Sequence, residues 1–211
     1  MKTILLPCIF AAAAGLASGA QAGIIDTGAP TDDVALSSPD DIIGGTFVAD
    51  ANTLDSFTIY LRSTDASRPG SGFYGVVAAV DGDGYPVGPL LWQSSLMSGA
   101  SLDVEAFTPF SFSPGLALTV GQTYFVGYDA GVFVTSPAAS GDDGLDIGIN
   151  AAGSAVPIRA RFNGSTSSQF TTSGQLAAVI VTSDSTDVPA PAALGLLGLG
   201  LGMIGARRLR R

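Results

Sequence analysis

The chain has no histidine, one cysteine, one lysine and one glutamate among its 211 residues. The missing histidines exclude Ser-His-Asp and Cys-His catalysis, and with them zinc or iron sites built on imidazole. Lys2 and Cys8 both lie in the first ten residues. No Schiff-base lysine or thiolate cluster is therefore available to the rest of the chain. Charge is also scarce, at 13% of residues. All 18 acids fall between Asp26 and Asp187, a stretch holding only four bases, Arg62, Arg68, Arg159 and Arg161, for a net charge of −14. Such a surface repels phosphate backbones and excludes a generic nucleic-acid binder. The low charge and 46% hydrophobic content also argue against a disordered acidic chain.

What is present concentrates at the two ends. Lys2 supplies a positive start, Ile4 to Leu16 is an apolar run, and Ala20-Gln21-Ala22 has the small-x-small form of a signal-peptidase site. Residues 1–22 read as a secretory signal peptide, with Gly23 as the first mature residue; a retained anchor is the alternative. Cys8 precedes most of the apolar run, which does not fit a lipoprotein site. The exported product then has no cysteine, and its core must supply the stability that disulfides give many secreted domains.

At the other end, acidic 184–187 leads into Val188-Pro189-Ala190-Pro191, an uncharged Leu/Gly/Ala run over 192–206, and Arg207-Arg208-Leu209-Arg210-Arg211. The 19 uncharged residues from Val188 would span about 28 Å as a helix, near the thickness of a bilayer's hydrocarbon core. Pro191 suits a helix start. The many glycines weaken a helix in water, but lipid forces backbone hydrogen bonds inward. Arg207, Arg208, Arg210 and Arg211 predict a cytoplasmic end, so the preceding domain faces outward. The alternative is a buried core helix with a basic end, but the run shows no polar face. Gly198 and Gly202 have small-xxx-small spacing, which chance explains as well as helix pairing does.

This tail resembles the PEP-CTERM sorting signal of Gram-negative bacteria, through Val188-Pro189-Ala190-Pro191, the apolar span and the arginine cluster. Ala190 stands where that family usually has Glu. The resemblance implies recognition by an exosortase-like membrane protease, cleavage near the motif, an inner-membrane intermediate, and delivery to the cell surface or an exopolysaccharide biofilm matrix.

Between the ends, 23–39 is polar and turn-rich and predicts a flexible arm. Residues 40–183 read as one antiparallel β-sandwich, jelly-roll-like, built from about ten short strands. Phe57, Ile59 and Leu61 alternate onto one face. Further strands are predicted at 73–80, 90–93, 107–112, 124–128, 132–135, 145–149, 158–162 and 176–182, with Pro109 marking an edge or a bulge. There is no fixed-period repeat and no sustained helical periodicity before Pro189. Thr46-Phe47, Leu54 to Leu61, Val80 to Leu91 and Gly121 to Tyr128 also resemble segments of a domain found in other PEP-CTERM proteins. That second resemblance implies a carbohydrate-binding type of sandwich.

Candidate sites each carry two readings. Asp81-Gly82-Asp83-Gly84 can hold Ca²⁺ through Asp81 and Asp83, or form a simple hairpin turn. Asp142, Asp143 and Asp146 make a second acidic turn open to the same pair. Trp92, Tyr60, Tyr74, Tyr124 and Tyr128 are sugar platforms or core. Tyr85, beside the turn and Pro86, is expected to be exposed and ligand-binding. No cofactor is required, though calcium would offset part of the −14 charge. The carboxylates leave a two-carboxylate glycosidase chemically open, but Glu105 is the sole glutamate and no spacing singles out a pair. Asn163-Gly164-Ser165 matches a glycosylation sequon without bearing on a bacterial product. The reading is an exported non-enzymatic surface protein, with no catalytic residue assigned; a module that engages exopolysaccharide is the alternative.

Overall fold

The computed structural model describes residues 22–35, 41–64, 72–100, 102–134, 144–161, 169–170 and 174–184. The sorting motif, apolar span, arginine cluster, Ala20, Asp142, Asp143 and Asn163 lie outside them. The described chain forms strands β1 (Ala22–Asp26), β2 (Asp32–Ala35), β3 (Ile42–Val48), β4 (Thr53–Ser63), β5 (Gly72–Val80), β6 (Pro86–Gln93), β7 (Met97–Ser98), β8 (Thr108–Phe112), β9 (Leu116–Ala117), β10 (Thr123–Asp129), β11 (Leu145–Asn150), β12 (Ile158–Arg161), β13 (Gln169–Phe170), β14 (Gln175–Leu176) and β15 (Ala178–Ser183). None of the described residues is helical, so among them no helix is long and apolar enough to cross a membrane.

Every pairing is antiparallel, and two sheets result. The first centres on β4, which contacts β15, β11, β8 and β9, with β1 and β14 at the ends of the strand path and β2 beside β11. The second runs β13-β12-β3-β10-β5-β6, with β7 on β5. The architecture is β-sandwich-like and all-β. Period-two alternation on β4 turns Phe57, Ile59 and Leu61 inward. From the facing sheet, Ile43, Phe73, Val77, Val126 and Tyr128 complete one core. Gly75 lies opposite Phe112, whose ring fills the space a side chain there would take. Trp92 meets Phe57 edge-on at 6.0 Å, and Phe73 meets Phe110 edge-on at 5.1 Å.

The second sheet is covered on both faces. Ile42, Val76, Ala78 and Phe125 point away from the main core into a smaller cluster, closed over by Val132 and Phe133. This is why β3 and β10 are buried almost continuously instead of alternately.

Three sequence expectations change here. Residues 22–35 do not form a loose arm: β1 pairs with β15 and β2 pairs with β11, as edge strands of the first sheet. Thr27 explains the docking, since its hydroxyl donates to the Leu176 carbonyl at 2.7 Å and accepts the Ala178 N–H at 2.8 Å. No strand forms over 131–134, because the Asp129 carboxylate accepts the N–H groups of Gly131, Val132 and Phe133 and wraps the chain into a bend. Asp146 is not in a turn: it lies within β11, paired with Arg62 on β4.

Candidate functional site

The turn after β5 is organised by one carboxylate. Asp81 Oδ1 accepts the N–H groups of Asp83 at 3.0 Å and Tyr85 at 2.9 Å, while Oδ2 accepts from Arg161 Nη2 at 2.6 Å. Gly84 takes φ +85°, a left-handed position that suits glycine. These bonds fit the hairpin reading. Calcium would have to displace a guanidinium and two amides from Asp81, leaving Asp83 as the open carboxylate. Among the described residues, no group of three or more acids, cysteines or histidines gathers to hold a metal.

Tyr85 is buried, contrary to expectation. Its ring lies under the Arg159 guanidinium at 5.6 Å, within cation–π range. The cause is tertiary. The tip of the β5–β6 hairpin folds over the outer face of the second sheet, where β12 presents Arg159 and Arg161. Tyr128 is fully buried and offers no free stacking face, and Trp92 is half-buried, its ring steeply inclined to those of Phe57 and Phe112. Tyr60, Tyr74 and Tyr124 are half-buried.

Beside the turn lies an open cleft of about 870 Å³, lined by Asp81, Leu91, Thr119, Gln122, Thr123 and Tyr124 among others. Two local features make it. The β5–β6 register jumps from Val77↔Trp92 to Ala79↔Val87, so β6 has extra residues there and Leu91 projects outward. On the opposite wall, Gly121 at φ +82° turns the chain tightly into β10. The Tyr124 hydroxyl accepts the Thr119 N–H at 2.9 Å, which fixes its ring in the wall. Hydroxyl, amide and apolar groups together suit a hydroxyl-rich ligand with apolar faces.

One carboxylate pair, Asp33 and Asp146, and one lone buried carboxylate, Asp129, lie away from the cleft. Arg62 joins three adjacent strands, with Nη2 on Asp33 at 2.7 Å and Nε on Asp146 at 3.2 Å, and its guanidinium sits 5.0 Å from the Phe107 ring. Asp146 is pushed above the usual carboxyl value near 3.8, mainly by burial and next by Asp33, against the pull of Arg62. Its Oδ1 is buried without a partner. Burial likewise raises Asp129, which its amide donors oppose. Neither acid lines the cleft. Glu105 is exposed in a loop, its N–H on Asp103 Oδ1 at 2.8 Å. The Asp33–Asp146 pair was findable only by aligning β2, β11 and β4 in register.

No family model and no curated protein matches the chain. Among solved structures, an arabinose-bound GH51 α-L-arabinofuranosidase is similar at 13% identity and a TM-score of 0.30, over 72% of this chain and 24% of that enzyme. The chain thus spans about a quarter of that protein's length, and a likeness at this level carries no argument about activity.

Proposed function

We propose that the protein is an exported, non-enzymatic surface or matrix protein. In this reading a jelly-roll-like sandwich is carried outward by a signal peptide, held in the inner membrane by the C-terminal span, and released by an exosortase-like protease to the envelope surface or exopolysaccharide matrix. The observation that carries it is the order of signal run, cysteine-free acidic domain, Pro-x-Pro motif, apolar span and arginine cluster along one sequence. Fractionation of the full chain against a version ending at Asp187 tests this. The full chain should pass through a membrane fraction and be released without its arginines, and the short form should appear outside at once. Intact arginines on the released protein would overturn the processing step.

A second reading is favoured by the cleft: the same sandwich engages exopolysaccharide there, with or without calcium. A glycan-binding screen run with and without chelator separates it from a passive structural role. Gln122→Ala and Thr123→Ala should weaken any binding about tenfold while leaving the thermal midpoint unchanged.

A further inference from the structure

We propose that removal of the signal peptide creates an internal ion pair: the new α-ammonium of Gly23 docks between the carboxylates of Asp50 and Asp184. The inference rests on the reading that cleavage falls after Ala22.

A small pocket of about 220 Å³ is lined by Gly23, Asp50, Ala51 and Asp184. The occupant is not inferred from the acids. Gly23 already forms a wall of the pocket, and it is the residue immediately after Ala20-Gln21-Ala22. Its position is fixed by the ladder, since Gly23 pairs with Thr182 on β15. Asp50 is held against it, with Oδ1 accepting the Thr182 hydroxyl and Oδ2 crowding the space a Cβ on Gly23 would need. Any larger first residue would push the carboxylate away. Asp184 closes the other side and accepts the Asn52 N–H at 3.3 Å. Among the described residues no guanidinium pairs with either acid: Arg62 is on Asp33 and Asp146, and Arg161 is on Asp81.

In the uncleaved chain the Gly23 nitrogen is a neutral amide, and two carboxylates share the pocket without a counter-charge. Hydrolysis of the Ala22–Gly23 bond consumes one water. The acyl side leaves as the Ala22 carboxylate, and the Gly23 nitrogen becomes an amine that is mostly protonated at neutral pH. The pocket then holds one cation against two anions. Asp184 is also where the sandwich leads into the C-terminal tail, so processing at one terminus fixes the root of the other.

The test exploits the composition. Lys2 is the only lysine and departs with the signal, so the mature chain has one primary amine, the Gly23 α-amine. The full chain is expressed with export, and the released product is analysed by intact mass and then titrated by reductive methylation with formaldehyde and cyanoborohydride. A docked ammonium should titrate about half to one unit above an ordinary α-amine, so methylation at pH 7 runs about three- to tenfold slower than in Asp50→Asn/Asp184→Asn. Asp184→Asn alone, whose Oδ1 can still accept the Asn52 N–H, should fall between and guards against misfolding of the double variant. Equal rates and an ordinary pKa in wild type would overturn the docking with cleavage intact. A mass starting anywhere but Gly23 would overturn the processing reading, and the ion pair with it.

Discussion

Arg161 Nη2 meets Asp81 Oδ2 at 2.6 Å, which ties β12 to the tip of the β5–β6 hairpin over the outer face of the second sheet. In sheet order β3 and β10 lie between β12 and β5. The bond therefore exists only because the hairpin folds across them. The Arg161 side chain is 6% exposed and Asp81 29%. Removing the acid would strand a buried cation, so Asp81→Ala should cost about 2–3 kcal/mol by urea unfolding. Arg161→Met, which leaves only the more exposed partner alone, should cost less. Equal costs would mean the pair is not what holds the hairpin down.

Asp146 offers a pH test. Its pKa is raised in the fold, so the folded state holds the proton more tightly than the unfolded chain does. Its contribution is greatest below the ordinary carboxyl value near 3.8 and is lost as pH rises through the folded pKa. Asp146→Asn removes the titration, keeps an oxygen for Arg62 and gives Asp33 a donor. Relative to wild type, the variant should therefore gain stability between pH 4 and pH 7. Paired urea midpoints at the two pH values check it, and a difference that stays flat would show that Asp146 is not desolvated as described.

Gly75 and Phe112 form a small-to-large pair across the two sheets. An added Cβ at Gly75 would lie 2.5 Å from the Phe112 ring. The ring also packs on Phe57 at 4.9 Å, which limits its escape. Gly75→Ala should cost about 1–3 kcal/mol through overpacking. Phe112→Leu alone should destabilise too, but the double variant should be less than additive, because each change makes room for the other. Strict additivity would refute the contact.

These positions also show how far local sequence reaches. Period-two alternation at Phe57, Ile59 and Leu61 was enough to assign β4 and its inner face, because one side of that strand is solvated. Pro109 marked β8 correctly as a strand that pairs on one side, with β4 alone. The Asp-Gly turn was legible because the amide bonds that shape it are local, whereas its bond to Arg161 is not. Tyr85 was not, since its burial depends on Arg159 some 70 residues away in sequence. The strand over 145–149 was legible, but grouping Asp146 with an acidic turn hid its partner, Arg62, which comes from another strand. The cleft itself arises from a register jump and a tight turn on neighbouring strands, which no local pattern encodes.

The N-terminal stretch was misread for a related reason. It is polar because β1 and β2 are edge strands with one open side, not because it is loose. Thr27 is the pin between them. Besides its two hydroxyl bonds, its carbonyl accepts from Asn150 Nδ2 at 2.7 Å. Thr27→Val keeps the shape and the carbonyl but loses the hydroxyl, leaving the Leu176 carbonyl and the Ala178 N–H short of partners. Thr27→Val should cost about 1–2 kcal/mol overall. The loss should be local, because β1 and β2 can peel away while the core of Phe57, Ile59 and Val126 stays closed. Hydrogen exchange should therefore quicken over 22–35 and along β15 before it quickens in β10. Uniform acceleration across both sheets would mean the arm is part of the cooperative core, and unchanged exchange over 22–35 would mean that Thr27 does not pin it.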